Sequence, residues 1–129
     1  MNLLDLTDNQ IIKTRQTYNN FAKRYAEEVE WSIESLQNSA NNIIKPLVKG
    51  VAEGAHIAHI GCGTGRDIYL LNKLGYVCSG FDISEGMLKV AKDRNNTAEF
   101  LTLDISKESL PQSKFDVILA ESVLSFVKF

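Results

Sequence analysis

The stretch Ile60-Gly61-Cys62-Gly63-Thr64-Gly65-Arg66-Asp67 places three glycines at alternate positions. A short apolar run, Ala55 to Ile60, precedes it, and a helical pattern, Asp67 to Leu74, follows. A strand that feeds a glycine-rich turn and then a helix gathers backbone N–H groups and a positive helix end at the strand's carboxyl terminus. Glycine serves there in two ways. It makes the tight turn, and it lets a ligand lie against bare backbone. The stretch reads as a cofactor-binding turn.

Outward from this turn toward the C-terminus, strand and helix patterns alternate. Gly75 is placed to end the first helix. Tyr76–Phe81 reads as a second strand that ends at Asp82, and Ser84 is placed to cap a helix over Glu85–Arg94. Ala98–Leu103 reads as a third strand, ending at Asp104. A polar crossover from Ser106 to Lys114, containing Pro111, leads to a fourth strand, Phe115–Ala120, that is apolar on both faces. Strands this continuously apolar, alternating with helices, predict an α/β fold with a doubly wound parallel sheet.

Toward the N-terminus the pattern is helical from Asp8 to Glu30. Ile11, Ile12, Arg15, Tyr18, Phe21, Ala22, Tyr25 and Val29 fall on one stripe at three- and four-residue spacings. The stripe has two readings: packing against the domain, or a lid whose aromatic rings cover a ligand. Asn38 to Lys49 reads as a second helix, with Pro46 at a kink or in its last turn. Residues 1–50 are therefore expected to form a helical cap, and residues 51–129 a core, within a single domain.

Composition bounds the partners. The chain has 129 residues, 44% hydrophobic and 23% charged, which suits one globular domain. A net charge of -2 gives no support to a nucleic-acid or anionic-membrane surface. No run has the length of a membrane span, and an N-terminus carrying Asp5 and Asp8 is unlike a signal peptide, so a cytoplasmic protein is expected. Cys62 and Cys78 lie in different predicted elements and are expected to be reduced thiols.

In a doubly wound sheet, ligands bind across the carboxyl ends of the strands, where strand order reverses. Four candidate groups fall there: the glycine turn, Asp82, Asp104, and Glu121 with Ser122. Asp82 stands at the distance from the turn where an acid accepts hydrogen bonds from ribose hydroxyls, with a helix-capping or turn aspartate before Ser84 as the alternative. Asp104 is placed to accept from an exocyclic amine such as that of adenine, with a plain turn aspartate as the alternative. Ile83, Met87 and Ile105 are candidates to sandwich an adenine ring, although Met87 sits equally well in a core. His56 and His59, three apart on a strand, point to opposite faces, so no metal site is expected. No catalytic residue stands out. The dinucleotide fingerprint G-x-G-x-x-G requires glycine where this chain has Arg66, which points to a different adenosine-bearing ligand.

The stretches I-G-C-G-T-G-R-D, G-F-D-I-S-E-G-M-L, F-L-T-L-D-I and F-D-V-I-L-A-E-S-V-L-S-F-V resemble the class I S-adenosylmethionine-dependent methyltransferases, in family order and spacing. Tyr18 to Tyr25, Y-N-N-F-A-K-R-Y, looks like the aromatic entry helix of small-molecule members. The resemblance implies a Rossmann-like fold, S-adenosylmethionine as cofactor with S-adenosylhomocysteine as product, and a small-molecule methyl acceptor. It implies that Gly61, Cys62 and Gly63 line the methionine part of the cofactor. Asp82 would hold the ribose, Asp104 the adenine amine, and the Glu121–Ser122 backbone the methionine amino group and sulfonium. Tyr18 and Tyr25 would close over the site.

Two features depart from the family pattern. His59 stands where the family carries an acid two residues before the first glycine, and the chain stops after the fourth of seven strands. From that stop, and from the apolar fourth strand and tail, a homodimer or higher oligomer joined through Phe115–Ala120 and the segment after it is expected. Two rival functions remain alongside. One is a cofactor-binding module without transferase activity, and the other, disfavoured by Arg66, is a nicotinamide-dependent oxidoreductase.

Overall fold

The computed structural model of the protein describes residues 8–111 and 115–120. Four parallel strands form one sheet: β1 (His56–Ile60), β2 (Val77–Asp82), β3 (Glu99–Thr102) and β4 (Val117–Leu119). Their order is β3-β2-β1-β4. The chain therefore steps outward from β1 through β2 to β3, then crosses back to lay β4 on the free side of β1. This is the reversal expected of a doubly wound sheet, and it opens a crevice beyond the carboxyl end of β1. Ile57 lies opposite Cys78 on one side and Val117 on the other, and Phe81 lies opposite Leu101, which fixes the register.

The helices are α1 (Asp8–Tyr25), α2 (Ile33–Ser39), α3 (Lys45–Val48), α4 (Arg66–Lys73) and α5 (Glu85–Arg94). Helix α5 has the bounds the sequence predicts, and Ser84 caps it by accepting from the Met87 N–H at 3.1 Å. Helix α4 carries Ile68 and Leu71, both 0% exposed, into a core with Ile44, Ile57, Cys78, Leu88 and Phe100. Alternate residues of each strand point the other way, so Ala58 and Phe81 join Leu103 in a second cluster on the far face. There the crossover segment contributes Ile105, Leu110 and Phe115.

The N-terminal region departs from the expected pattern. Helix α1 bends at Phe21, whose backbone leaves the helical range at φ -129° and ψ 21°. A π-helical turn, Ala26–Glu30, follows it, and a second, Ala40–Ile44, joins α2 to α3. The helix expected over Asn38–Lys49 thus begins earlier, at Ile33, with Pro46 in the first turn of α3. Each wide turn inserts about one extra residue per cycle and rotates the helix face. Of the predicted stripe, Ala22 is buried, Tyr25 is half-buried, and Phe21, Ile12 and Val29 are exposed, while Ala26, outside that stripe, is buried. Among the described residues, no helix is long and apolar enough to cross a membrane.

Candidate functional site

The glycine turn leaves β1 and is tied to the end of β2. The Gly61 and Cys62 N–H groups both donate to the Phe81 carbonyl, at 2.7 and 3.1 Å, and the Gly65 N–H donates back to the Cys62 carbonyl. The Gly63 N–H donates to Asp82 Oδ2 at 2.8 Å, and Asp82 Oδ1 accepts from the Ser84 N–H at 2.9 Å. One carboxylate therefore links the turn after β1 to the cap of α5. Burial raises the Asp82 pKa, and hydrogen bonds from the Ser84, Gly63 and Ile83 backbone oppose that rise. A carboxylate offers about four acceptor positions, more than three backbone donors use, so Asp82 retains capacity for a ligand hydroxyl.

Gly65 starts α4 in the left-handed region, at φ 81°. A Cβ there would come within 2.6 Å of Asn95 Nδ2 and 3.1 Å of Ala91 Cβ. This glycine lets α4 and the end of α5 approach closely, while Gly63 is half-buried and turns its bare backbone toward Glu30. A Cβ on Gly63 would meet Glu30 Oε1 at 3.3 Å.

That carboxylate belongs to a cluster absent from the sequence reading. Thr64 Oγ1 donates to Glu30 Oε1 at 2.9 Å, and Trp31 Nε1 donates to Thr64 Oγ1 at 2.9 Å. Arg66 Nη1 lies 3.3 Å from Glu30 Oε2, and its Nε donates to Asp67 Oδ1 at 2.9 Å. Ser39 Oγ also donates to Asp67 Oδ1. These bonds from Arg66 and Ser39 outweigh burial and hold the Asp67 carboxyl below its ordinary pKa. The Trp31 ring sits edge-on to Tyr69, with the Arg94 guanidinium 4.7 Å above it. Trp31 thereby clamps the N-terminal segment over α4 and α5. Trp31 being the chain's one tryptophan was the available signal, but no local periodicity places its partner 33 residues away.

The remaining expected residues are distributed as follows. Asp104 Oδ1 accepts from the Ser106 N–H at 3.0 Å, and its carbonyl accepts from Lys107 and Glu108 N–H groups. Asp104 thus makes the same side-chain contact to the N–H two residues on that Asp82 makes to Ser84, a turn geometry that leaves other acceptor positions of the carboxylate open. Met87 is 4% exposed and lies in the core. Ile83 is half-buried, whereas Ile105 packs on the far-face cluster. Tyr25 is half-buried at the end of α1. Tyr18 lies in α1, its side chain outside those described, and Glu121 and Ser122 fall outside the described residues. Cys62 and Cys78 are free and buried, and burial raises both thiol pKa values, that of Cys78 to about 12. Neither is an activated nucleophile. His56 is exposed and His59 buried, on opposite faces of β1.

The chain is similar to known proteins in sequence and in fold. Residues 58–129 match the model of a family described as a methyltransferase domain. A demethylmenaquinone methyltransferase of Tropheryma whipplei is 27% identical over 107 residues, covering 81% of this chain and 44% of that protein. Among solved structures, a TehB-like SAM-dependent methyltransferase of Corynebacterium glutamicum superposes with a TM-score of 0.63 at 27% identity, over 81% of this chain and 56% of that one. A magnesium protoporphyrin IX methyltransferase of Synechocystis PCC 6803, solved with bound SAM, shares the fold at a TM-score of 0.71 and 18% identity, over 94% of this chain and 65% of that one. The chain spans less than half the length of the curated relatives it matches. With more than half of its residues inside the family model, and with the strand order and glycine turn described above, the chain belongs to the methyltransferase-domain family.

Proposed function

We propose that the protein binds S-adenosylmethionine at the carboxyl ends of β1 and β2 and serves methyl transfer to a small-molecule acceptor, in a cytoplasmic setting. The observation that carries this reading is the bond from the Gly63 N–H to Asp82 Oδ2, 2.8 Å long. It brings bare glycine backbone and an acceptor-only carboxylate together at the carboxyl ends of β1 and β2, beside the point where strand order reverses between β1 and β4. In this reading Gly61, Cys62 and Gly63 line the methionine part and Asp82 accepts from the ribose hydroxyls. Ile83 and Met87 lie toward the adenine, with Asp104 and Ile105 at the adjoining turn. By the family resemblance, Tyr18 and Tyr25 would close over the site, and the Glu121–Ser122 backbone would meet the methionine amino group and sulfonium.

The sulfonium of the cofactor supplies an already activated methyl group. The chain's own task is then to hold and align, which can account for a large part of an acceleration without a catalytic base. A small-molecule acceptor is supported by the relative named for demethylmenaquinone. Family membership leaves the nicotinamide-dependent reading without support. We also propose self-association through β4 and the segment after it.

Titration calorimetry with S-adenosylmethionine tests the cofactor reading. Replacing Asp82 by alanine would strand both the Gly63 and Ser84 N–H groups, whereas Asp82→Asn, whose single amide oxygen can still accept from one of them, is the milder probe. It is expected to weaken binding by roughly 1–3 kcal/mol while the protein stays folded by circular dichroism. Undiminished affinity in that variant removes Asp82 from the ribose site.

A further inference from the structure

We infer that Glu30, from the N-terminal segment, provides the negative charge for the α-ammonium group of the cofactor's methionine portion. The inference rests on the cofactor reading above and assigns one of its contacts. At the position two residues before Gly61 the chain carries His59, and burial lowers its pKa to about 4, so it is neutral near pH 7. A neutral imidazole supplies no negative charge at that position. Glu30 Oε1 lies against the bare backbone of Gly63, 3.3 Å from where a Cβ would stand. Glu30 and Asp82 both raise the Cys62 pKa, so the two carboxylates act on the turn together. Asp82 is bonded to its backbone, and Glu30 to the Thr64 side chain.

Charge balance points the same way. Arg66 is shared by two carboxylates, Glu30 and Asp67, and its guanidinium and the Glu30 carboxylate are only 20% and 12% exposed. In the ion pairs of the described residues, two carboxylates thus share one guanidinium, and an ammonium donor would complement them. The π-helical turn, Ala26–Glu30, ends on this residue, and such turns recur at functional sites because they re-aim a side chain. Thr64 and Arg66 hold the carboxylate in place, while Trp31 anchors the segment through Thr64.

Calorimetry with S-adenosylhomocysteine and its deamino analogue, on the full chain and on Glu30→Gln, tests the assignment. The variant is expected to bind S-adenosylhomocysteine about 10- to 100-fold more weakly, the range for a charge-assisted hydrogen bond, and the deamino analogue within about twofold of the unmutated protein. Equal weakening of both ligands, or of neither, overturns the assignment while leaving the cofactor reading in place. Failure of the unmutated protein to bind S-adenosylhomocysteine overturns both. Glu30→Asp, which keeps the charge but withdraws it by one methylene, carries the same expectation and the same criteria should Glu30→Gln not fold.

Discussion

His59 is 4% exposed, and its Nδ1 has no hydrogen-bond partner among the described residues. Burial lowers its pKa from 6.5 to about 4, with Asp67 pulling upward and Arg66 downward. The unfolded imidazole takes a proton as pH falls through 6.5, whereas the folded one resists until about 4. Its stabilising effect is therefore complete above the unfolded value and is lost as pH falls across that window. The loss amounts to something on the order of 3 kcal/mol between neutrality and pH 4. Asp67, held below the ordinary carboxylate range, acts in the same direction lower down, while the raised pKa of Asp82 acts against it. Urea unfolding midpoints for the unmutated chain are expected to fall steeply between pH 6.5 and 4. A His59→Leu variant should show a flatter profile over that range, and parallel profiles would refute the account.

At the scale of elements, local sequence carries most of the sheet and the helix that follows β2. Helix α5 and its Ser84 cap, the four strands and the glycine turn all depend on periodicity and on residues within a few positions of each other. Strand order followed because a parallel crossover has few permitted forms. The N-terminal third was less legible, since two π-helical turns and the bend at Phe21 break the 3.6-residue period on which the stripe was drawn. The Glu30–Thr64 and Trp31–Thr64 bonds join residues more than thirty positions apart, a distance over which no pattern carries information. Asp104 was ambiguous because the same residue type starts a turn and receives a ligand. The junction of α4 and α5 supplies a sharper test. Gly65→Ala would combine a left-handed backbone with a Cβ pressed on Asn95 and Ala91, whose helix has little room to retreat. A loss of about 2–4 kcal/mol is expected from denaturant unfolding. A change below about 1 kcal/mol would mean that α5 moves aside at little cost.

For the molecule as a whole, the two faces of the sheet differ. The face bearing Ile57, Cys78 and Phe100 is covered by α4, α5 and the α2–α3 region. On the other face, register and alternation place Val77, Leu101 and Ile118 together with Ala58 and Phe81. The crossover segment covers Ala58 and Phe81, yet Val77, Leu101 and Ile118 remain 50%, 52% and 54% exposed. Strand β4 pairs with β1 along one edge, and among the described residues nothing pairs with its other edge. An open strand beside half-exposed aliphatic side chains invites a second strand to add through its backbone and bury that surface. The 129-residue chain is therefore expected to associate at micromolar concentration through β4. Sedimentation velocity is the direct measurement, with Ile118→Lys as the comparison. A lysine there leaves the β4 backbone bonds to β1 intact but sets a charge on the surface that association would bury, so the variant should shift toward monomer. A monodisperse, folded monomer in the unmutated protein would overturn the expectation. An oligomer indifferent to Ile118→Lys would move the interface away from this face of β4.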